Sequence, residues 1–94
     1  MIVTIEDVKV HLRIQYEEED DYLESLIRQA QAAAEDFCRV EFEDEAPEPV
    51  RLAVLLMVSF IYENRDLPDK QVYLTTRMAF ENLLYPHRDM SRMF

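Results

Sequence analysis

The chain contains no glycine. Glycine enters left-handed backbone conformations at no steric cost, so its absence strikes out whole classes of local structure. Glycine-based hairpin turns, phosphate-cradling loops and the usual glycine just past a helix C-terminus are all removed. A P-loop and a dinucleotide-binding fingerprint are excluded with them. Ninety-four residues make one domain, 1–94, near the small end of what folds alone, and 49% apolar residues supply a compact helical core. The single thiol, Cys38, makes neither an internal disulfide nor a Cys-only zinc site, and it fits a reducing compartment.

The apolar spacing predicts about four helices. Thr4 reads as an N-cap with Asp7 three residues on, and Ile5, Val8 and Leu12 repeat on one face of a short helix over 5–13. The run Glu17, Glu18, Glu19, Asp20 and Asp21 would repel itself inside a helix but suits the positive N-terminal end of one. Leu23, Leu26, Ile27, Ala30, Ala33, Ala34 and Phe37 then form a long stripe, which predicts a helix over 19–39. Residues 40–49, with five carboxylates and two prolines, read as a loop, Pro49 opening the first turn of the next helix. That helix, over 50–65, is apolar on nearly every side, so it is either wrapped by the other three or partly covered at a subunit contact. Residues 66–70 break the pattern. Val72 to Thr76 is β-branched and reads as a short strand or as an extended lead-in. Thr76 then caps a fourth helix holding Met78, Phe80, Leu83 and Leu84, which Pro86 ends. The fold class is therefore all-α: a compact bundle with a mostly buried apolar third helix and an acidic N-terminal half.

The net charge of −10 is unevenly placed. Residues 1–48 carry fifteen acids and four bases (−11), and residues 49–94 five acids and six bases (+1). Such a chain does not bind the DNA backbone through counterion release; it repels DNA, mimics it, or meets a basic partner. Residues 1–7 turn acidic at once, so no signal peptide is expected. The longest apolar run, 52–62, falls short of the roughly 20 residues that span a bilayer.

No constellation here points to catalysis. The carboxylates sit in solvated runs without a calcium-loop pattern. His11, Cys38 and His87 lack helical metal-ligand spacing, and Cys38 beside Phe37 reads as buried and structural. Ser25, Ser59 and Ser91 have no histidine at a spacing that suggests a nucleophile and its base. Neither an enzyme, a cofactor nor a metal is expected. Tyr62 and Arg65, closing the apolar helix, read either as its C-terminal cap or as a contact to a neighbouring copy. Arg77, Arg88 and Arg92 make the last segment mildly positive, which, set against the acidic first half, suggests head-to-tail contact between copies.

Three stretches in order resemble the head–tail connector (head-completion or adaptor) proteins of long-tailed phages. The opening VTIEDVKVHLRIQYEEEDDYLESLIRQAQAAAEDF resembles the family's short helix, acidic residues and long helix. PEPVRLAVLLMVSFIYENRD resembles its proline-led apolar helix closing in YENR, and FENLLYPHR resembles its C-terminal ending, with Tyr85 and His87 flanking Pro86 so that the aromatic of that ending is shifted or replaced by His87. The resemblance covers most of the chain. It implies a non-enzymatic virion adaptor at the head–tail interface, made in the bacterial host cytoplasm. Such adaptors assemble as a homo-oligomeric ring of about twelve copies under the portal, extend the DNA channel and receive the next neck or tail-completion protein. On that reading DNA passes through without specific binding, and Glu41, Glu43, Asp44 and Glu45 are candidate channel-lining acids. Tyr62, Arg65, Arg77, Arg88, Met93 and Phe94 are candidate contacts to another subunit or to the portal. The alternative is an acidic DNA mimic or inhibitor that binds a basic nucleic-acid-binding protein.

Overall fold

Thr4 starts the first helix as expected, through a reciprocal pair of hydrogen bonds. Its Oγ1 accepts from the Asp7 amide (3.1 Å) while the Asp7 carboxylate accepts from the Thr4 amide (3.0 Å). The Thr4 amide, aided by Arg51, holds the Asp7 carboxyl below its ordinary value against the opposing effect of burial. In this computed structural model, which describes residues 1–65 and 70–89, the elements are α1 (Ile5–Leu12), α2 (Asp20–Cys38), α3 (Glu48–Glu63), α4 (Lys70–Leu84) and a 3-10 turn at Tyr85–His87. All are helical, and no strand occurs among the described residues.

The second and third helices lie within two residues of their expected bounds. The fourth does not. It starts at Lys70, six residues before the expected cap at Thr76, and Val72 to Thr76 is helical. β-Branching lowers helix propensity only by tenths of a kcal/mol per residue. Packing outweighs that here: Tyr73, second in the run, lies against Phe60 of α3 with ring centroids 5.7 Å apart. Pro86 ends the helix as expected, inside the 3-10 turn.

Helix ends without glycine are built from arginine. Arg13 (φ 60°, ψ 40°) and Arg39 (φ 59°, ψ 34°) take the left-handed cap conformation that closes α1 and α2. For an L-residue this costs on the order of 1 kcal/mol. Both bonds of the α1 cap and the single bond of the α2 cap are nevertheless made, to Lys9 and Val10 carbonyls and to the Glu35 carbonyl. The next carbonyls of α2 are satisfied from the far end of the chain: the Asp89 amide donates to Cys38 O (2.7 Å) and Arg88 Nε to Phe37 O (3.0 Å).

The core is one cluster built from Leu23, Leu26, Ile27, Ala30, Ala34 and Cys38 of α2, Val50, Ala53, Val54 and Val58 of α3, Phe80 and Leu84 of α4, and Val8 of α1. Ile2 and Val3, which precede the first helix, are also fully buried in it. Val3 and Val8 bracket the Thr4 cap, one just before and one four residues after, which pins the entry of the chain. α3 is the central helix, with α2, α1 and α4 against it, but it is not wrapped on all sides. Leu52 is half exposed, and Leu56, one turn on, is only partly covered.

Candidate functional site

Antiparallel packing of α2 and α3 gives the molecule two polar ends, and the residues singled out in the sequence divide between them. At one end the C-terminus of α3 meets the N-terminus of α2. The hydroxyls of Tyr16 and Tyr62 lie 3.0 Å apart, and both reach Glu19 Oε1, at 3.2 and 3.3 Å. Three oxygens at mutual contact share two protons. Removing one would leave a negative phenolate against a carboxylate. Hydrogen bonding to Tyr62, then burial, then Glu19 accordingly push the Tyr16 hydroxyl up to about 12. Arg65 completes the cluster. It donates to Glu19 Oε2 (3.3 Å) and lies over the Tyr62 ring at 4.4 Å and the Tyr22 ring at 6.0 Å. Tyr62 and Arg65 are thus engaged within their own chain, while the residue that caps α3 is Asn64, whose side-chain amide donates to Phe60 O (3.0 Å). Of the partners of Tyr62 and Arg65, Tyr16 and Tyr22 were not singled out in the sequence and Glu19 was read only as part of the acidic run; Tyr16 and Glu19 both precede α2, so no helical spacing pointed to the pair.

The other end holds the acidic loop. Its anchor is Gln31, 8% exposed and the one buried polar side chain among the described residues. The Gln31 carbonyl oxygen accepts from the Ile2 amide (2.8 Å) and its amide nitrogen donates to Phe42 O (3.2 Å). Glu35 Oε2 accepts from the Phe42 amide (2.7 Å) and, more weakly, from Gln31 Nε2 (3.4 Å). Arg51 closes the arrangement by donating to Ile2 O (3.1 Å) and pairing with Asp7 (3.6 Å). Backbone and side chain together fasten residues 1–3 and the middle of the loop to α2. Glu41, Glu43, Asp44 and Glu45 then project into solvent on either side of Phe42. Asp44 Oδ1 pairs with the Met1 ammonium at 2.9 Å, which lowers its carboxyl. Glu41 joins Glu35, Asp36 and Asp89 around a shallow groove of about 550 Å³ that also holds Arg39.

The remaining candidates lie along α4 and the turn after it. Arg77 donates to Tyr73 Oη (2.9 Å) and Glu81 Oε2 (3.2 Å), each one helical turn away. With Asp36 and Glu81 it rims a second groove, about 530 Å³, between α2, α3 and α4, floored by Phe37, Met57, Phe60 and Phe80. Arg88 caps α2 and stacks over the Phe37 ring at 4.8 Å. Met93 and Phe94 lie outside the described residues. Cys38 is buried with its thiol directed at Leu84 O, 3.7 Å away, and burial raises its pKa. No cluster of metal-ligating side chains occurs among the described residues, and no helix there is long and apolar enough to cross a membrane.

One family profile, described as phage gp6-like head-tail connector protein, matches residues 2–88. The chain belongs to that family. The match spans all four helices and both polar ends, so the likeness seen in three separate stretches extends through the loop and α4 that join them. Head–tail connectors are structural proteins of the virion rather than enzymes, and membership places this chain's work at the neck, among head and tail proteins. No match was found among curated proteins, and none among solved structures.

Proposed function

We propose that this connector assembles as a ring of about twelve copies beneath the portal, prolongs the DNA channel and presents a landing surface to the next neck or tail-completion protein. The observation that carries the proposal is the family match over residues 2–88, on a helical fold whose acidic loop is fastened at Phe42 and exposes its carboxylates on either side. Glu41, Glu43, Asp44 and Glu45 line the bore. Their carboxylates give DNA a wall to which it does not adhere, since tight backbone binding requires cations that displace counterions. Arg77 and Arg88, with Met93 and Phe94, serve contacts to the neighbouring subunit or the portal, and Tyr62 and Arg65 set the end of α3 from which such a contact is made.

The test is to mix the purified protein with its cognate portal ring and to determine mass and symmetry by native mass spectrometry and electron microscopy. A ring of about a dozen copies capping the portal is expected. A protein that stays monomeric or dimeric at micromolar concentration and leaves the portal bare overturns the proposal; capture of a basic nucleic-acid-binding protein instead would establish the DNA-mimic reading.

A further inference from the structure

The two most exposed large apolar side chains of the described molecule are Val10 on α1, at 80% of full exposure, and Met78 on α4, at 64%. They stand on opposite margins. α1 and the turn after it meet α3 through Arg51 and Tyr62, whereas α4 meets it through Phe60. Phe60 and Tyr62 are two residues apart, hence about 160° apart around the helix. The three helices therefore form a row with α3 in the middle, Val10 on one outer face and Met78 on the other.

The margins also differ in charge. Leu74, 44% exposed, sits one turn before Met78 on the same face of α4, with Lys70 one turn earlier still and Arg77 alongside. Glu81 is the lone acid of α4, which leaves the helix at +1. On the other margin Val10 is followed by the exposed Glu17 and Glu18, and residues 5–21 carry seven acids against two bases, for −5. Contact of α1 with α1 would set acids against acids, and contact of α4 with α4 would set Lys70 and Arg77 against their own copies. Only the mixed pairing covers both apolar patches and matches the charges. An interface between two different patches of one chain is heterologous, the kind that closes into a ring.

We propose that, in the ring inferred above and resting on that reading, the α4 margin of each copy packs on the α1 margin of the next, Leu74 and Met78 covering Val10 while Lys70 and Arg77 face Glu17 and Glu18. The α2 surface and the acidic loop stay clear of this lateral contact, which leaves the loop available to the bore.

The test is cross-linking on the portal with a short bismaleimide, using V10C, M78C and the V10C/M78C double variant, with the wild type, whose Cys38 is buried, as control. Both substituted positions are exposed, so folding is preserved. The double variant gives a ladder of oligomers, each single variant stays monomeric, and an equimolar mixture of the two stops at a dimer. A second variant, M78E, sets a carboxylate against the acidic margin; it lowers the number of portal-bound copies about tenfold with an unchanged unfolding midpoint. A wild-type ring seen by electron microscopy without a ladder, V10C cross-linking to itself, or M78E assembling as the wild type each overturns the margin assignment and leaves the adaptor reading standing. A wild type that forms no ring on the portal overturns the adaptor reading, and this pairing falls with it.

Discussion

Gln31→Ala tests whether one buried side chain holds two separate segments on α2. The substitution removes the acceptor of the Ile2 amide, a buried bond of 2.8 Å, and the donor to Phe42 O, a partly buried bond of 3.2 Å. A buried amide left without a partner costs about 1–3 kcal/mol, and a partly wetted carbonyl less. The lost methylene adds roughly 0.8 kcal/mol of unburied apolar contact, and the better helix propensity of alanine returns a few tenths. The net loss is about 3 kcal/mol. In a domain of this size each kcal/mol lowers the melting temperature by about 4–8 °C, so a fall of about 12–24 °C is expected. The assay is urea unfolding followed by far-ultraviolet circular dichroism, where the midpoint falls at unchanged slope. Hydrogen exchange supplies a local readout: the Ile2 amide loses protection while the centre of α3 keeps its own. A loss below about 0.5 kcal/mol, or an Ile2 amide as protected as before, refutes the reasoning and means that apolar burial of Ile2 and Val3 alone seats the segment.

Other perturbations have equally definite outcomes. Tyrosine absorbance titration should show one group titrating near pH 12, brought back toward its ordinary value by Tyr62→Phe. Because the folded value of Tyr16 lies above the unfolded value of 10.0, the stability from this cluster is fully present below about pH 10 and is lost as pH rises toward 12; the check is a stability difference between the wild type and Tyr62→Phe that narrows over that range. Arg39→Gly relieves a left-handed arginine and, after the entropy glycine adds to the unfolded chain, stabilises by about 0.5 kcal/mol, read as a rise of about 2–4 °C in melting temperature. Cys38 in the native protein should resist a thiol-specific disulfide reagent and react at once in denaturant, since its thiol is buried and its pKa raised; rapid native labelling would contradict its place in the core.

The helical class and the centrality of α3 were legible because both rest on apolar spacing, which a one-dimensional string carries in full. The start of α4 was not. Val72 to Thr76 has strand-like composition, and the contact that makes it helical, Tyr73 on Phe60, joins residues 13 apart that no periodicity connects. Ile2 and Val3 were given no role in the sequence reading, yet the pair Val3 and Val8 around a Thr cap is the pattern of a hydrophobic staple and was available to be read. Gln31 was hidden for a different reason: amid alanines on an amphipathic helix, a buried glutamine and a solvated one look alike until their partners are placed. Among the candidate residues, side-chain type correctly put Glu41 and Glu43 at the surface. It did not reveal that Arg65, Arg77 and Arg88 each hold a partner within the chain, because those partners lie at spacings from one helical turn to 51 residues.

The ties at the two polar ends bear on how the molecule acquires its shape. They close loops of 29 residues (Ile2 to Gln31), 46 (Tyr16 to Tyr62), 49 (Ile2 to Arg51) and 51 (Phe37 to Arg88). A plain helical hairpin satisfies itself as each turn forms, whereas all but the first of these bonds wait until more than half of the chain has been synthesised and docked. The loop-closure entropy falls due before the reward, so the protein should fold more slowly than its helix content suggests. On a ribosome, the first three residues would remain uncovered until Arg51 has emerged, and the nascent chain would commit to its fold late and in one cooperative step rather than helix by helix.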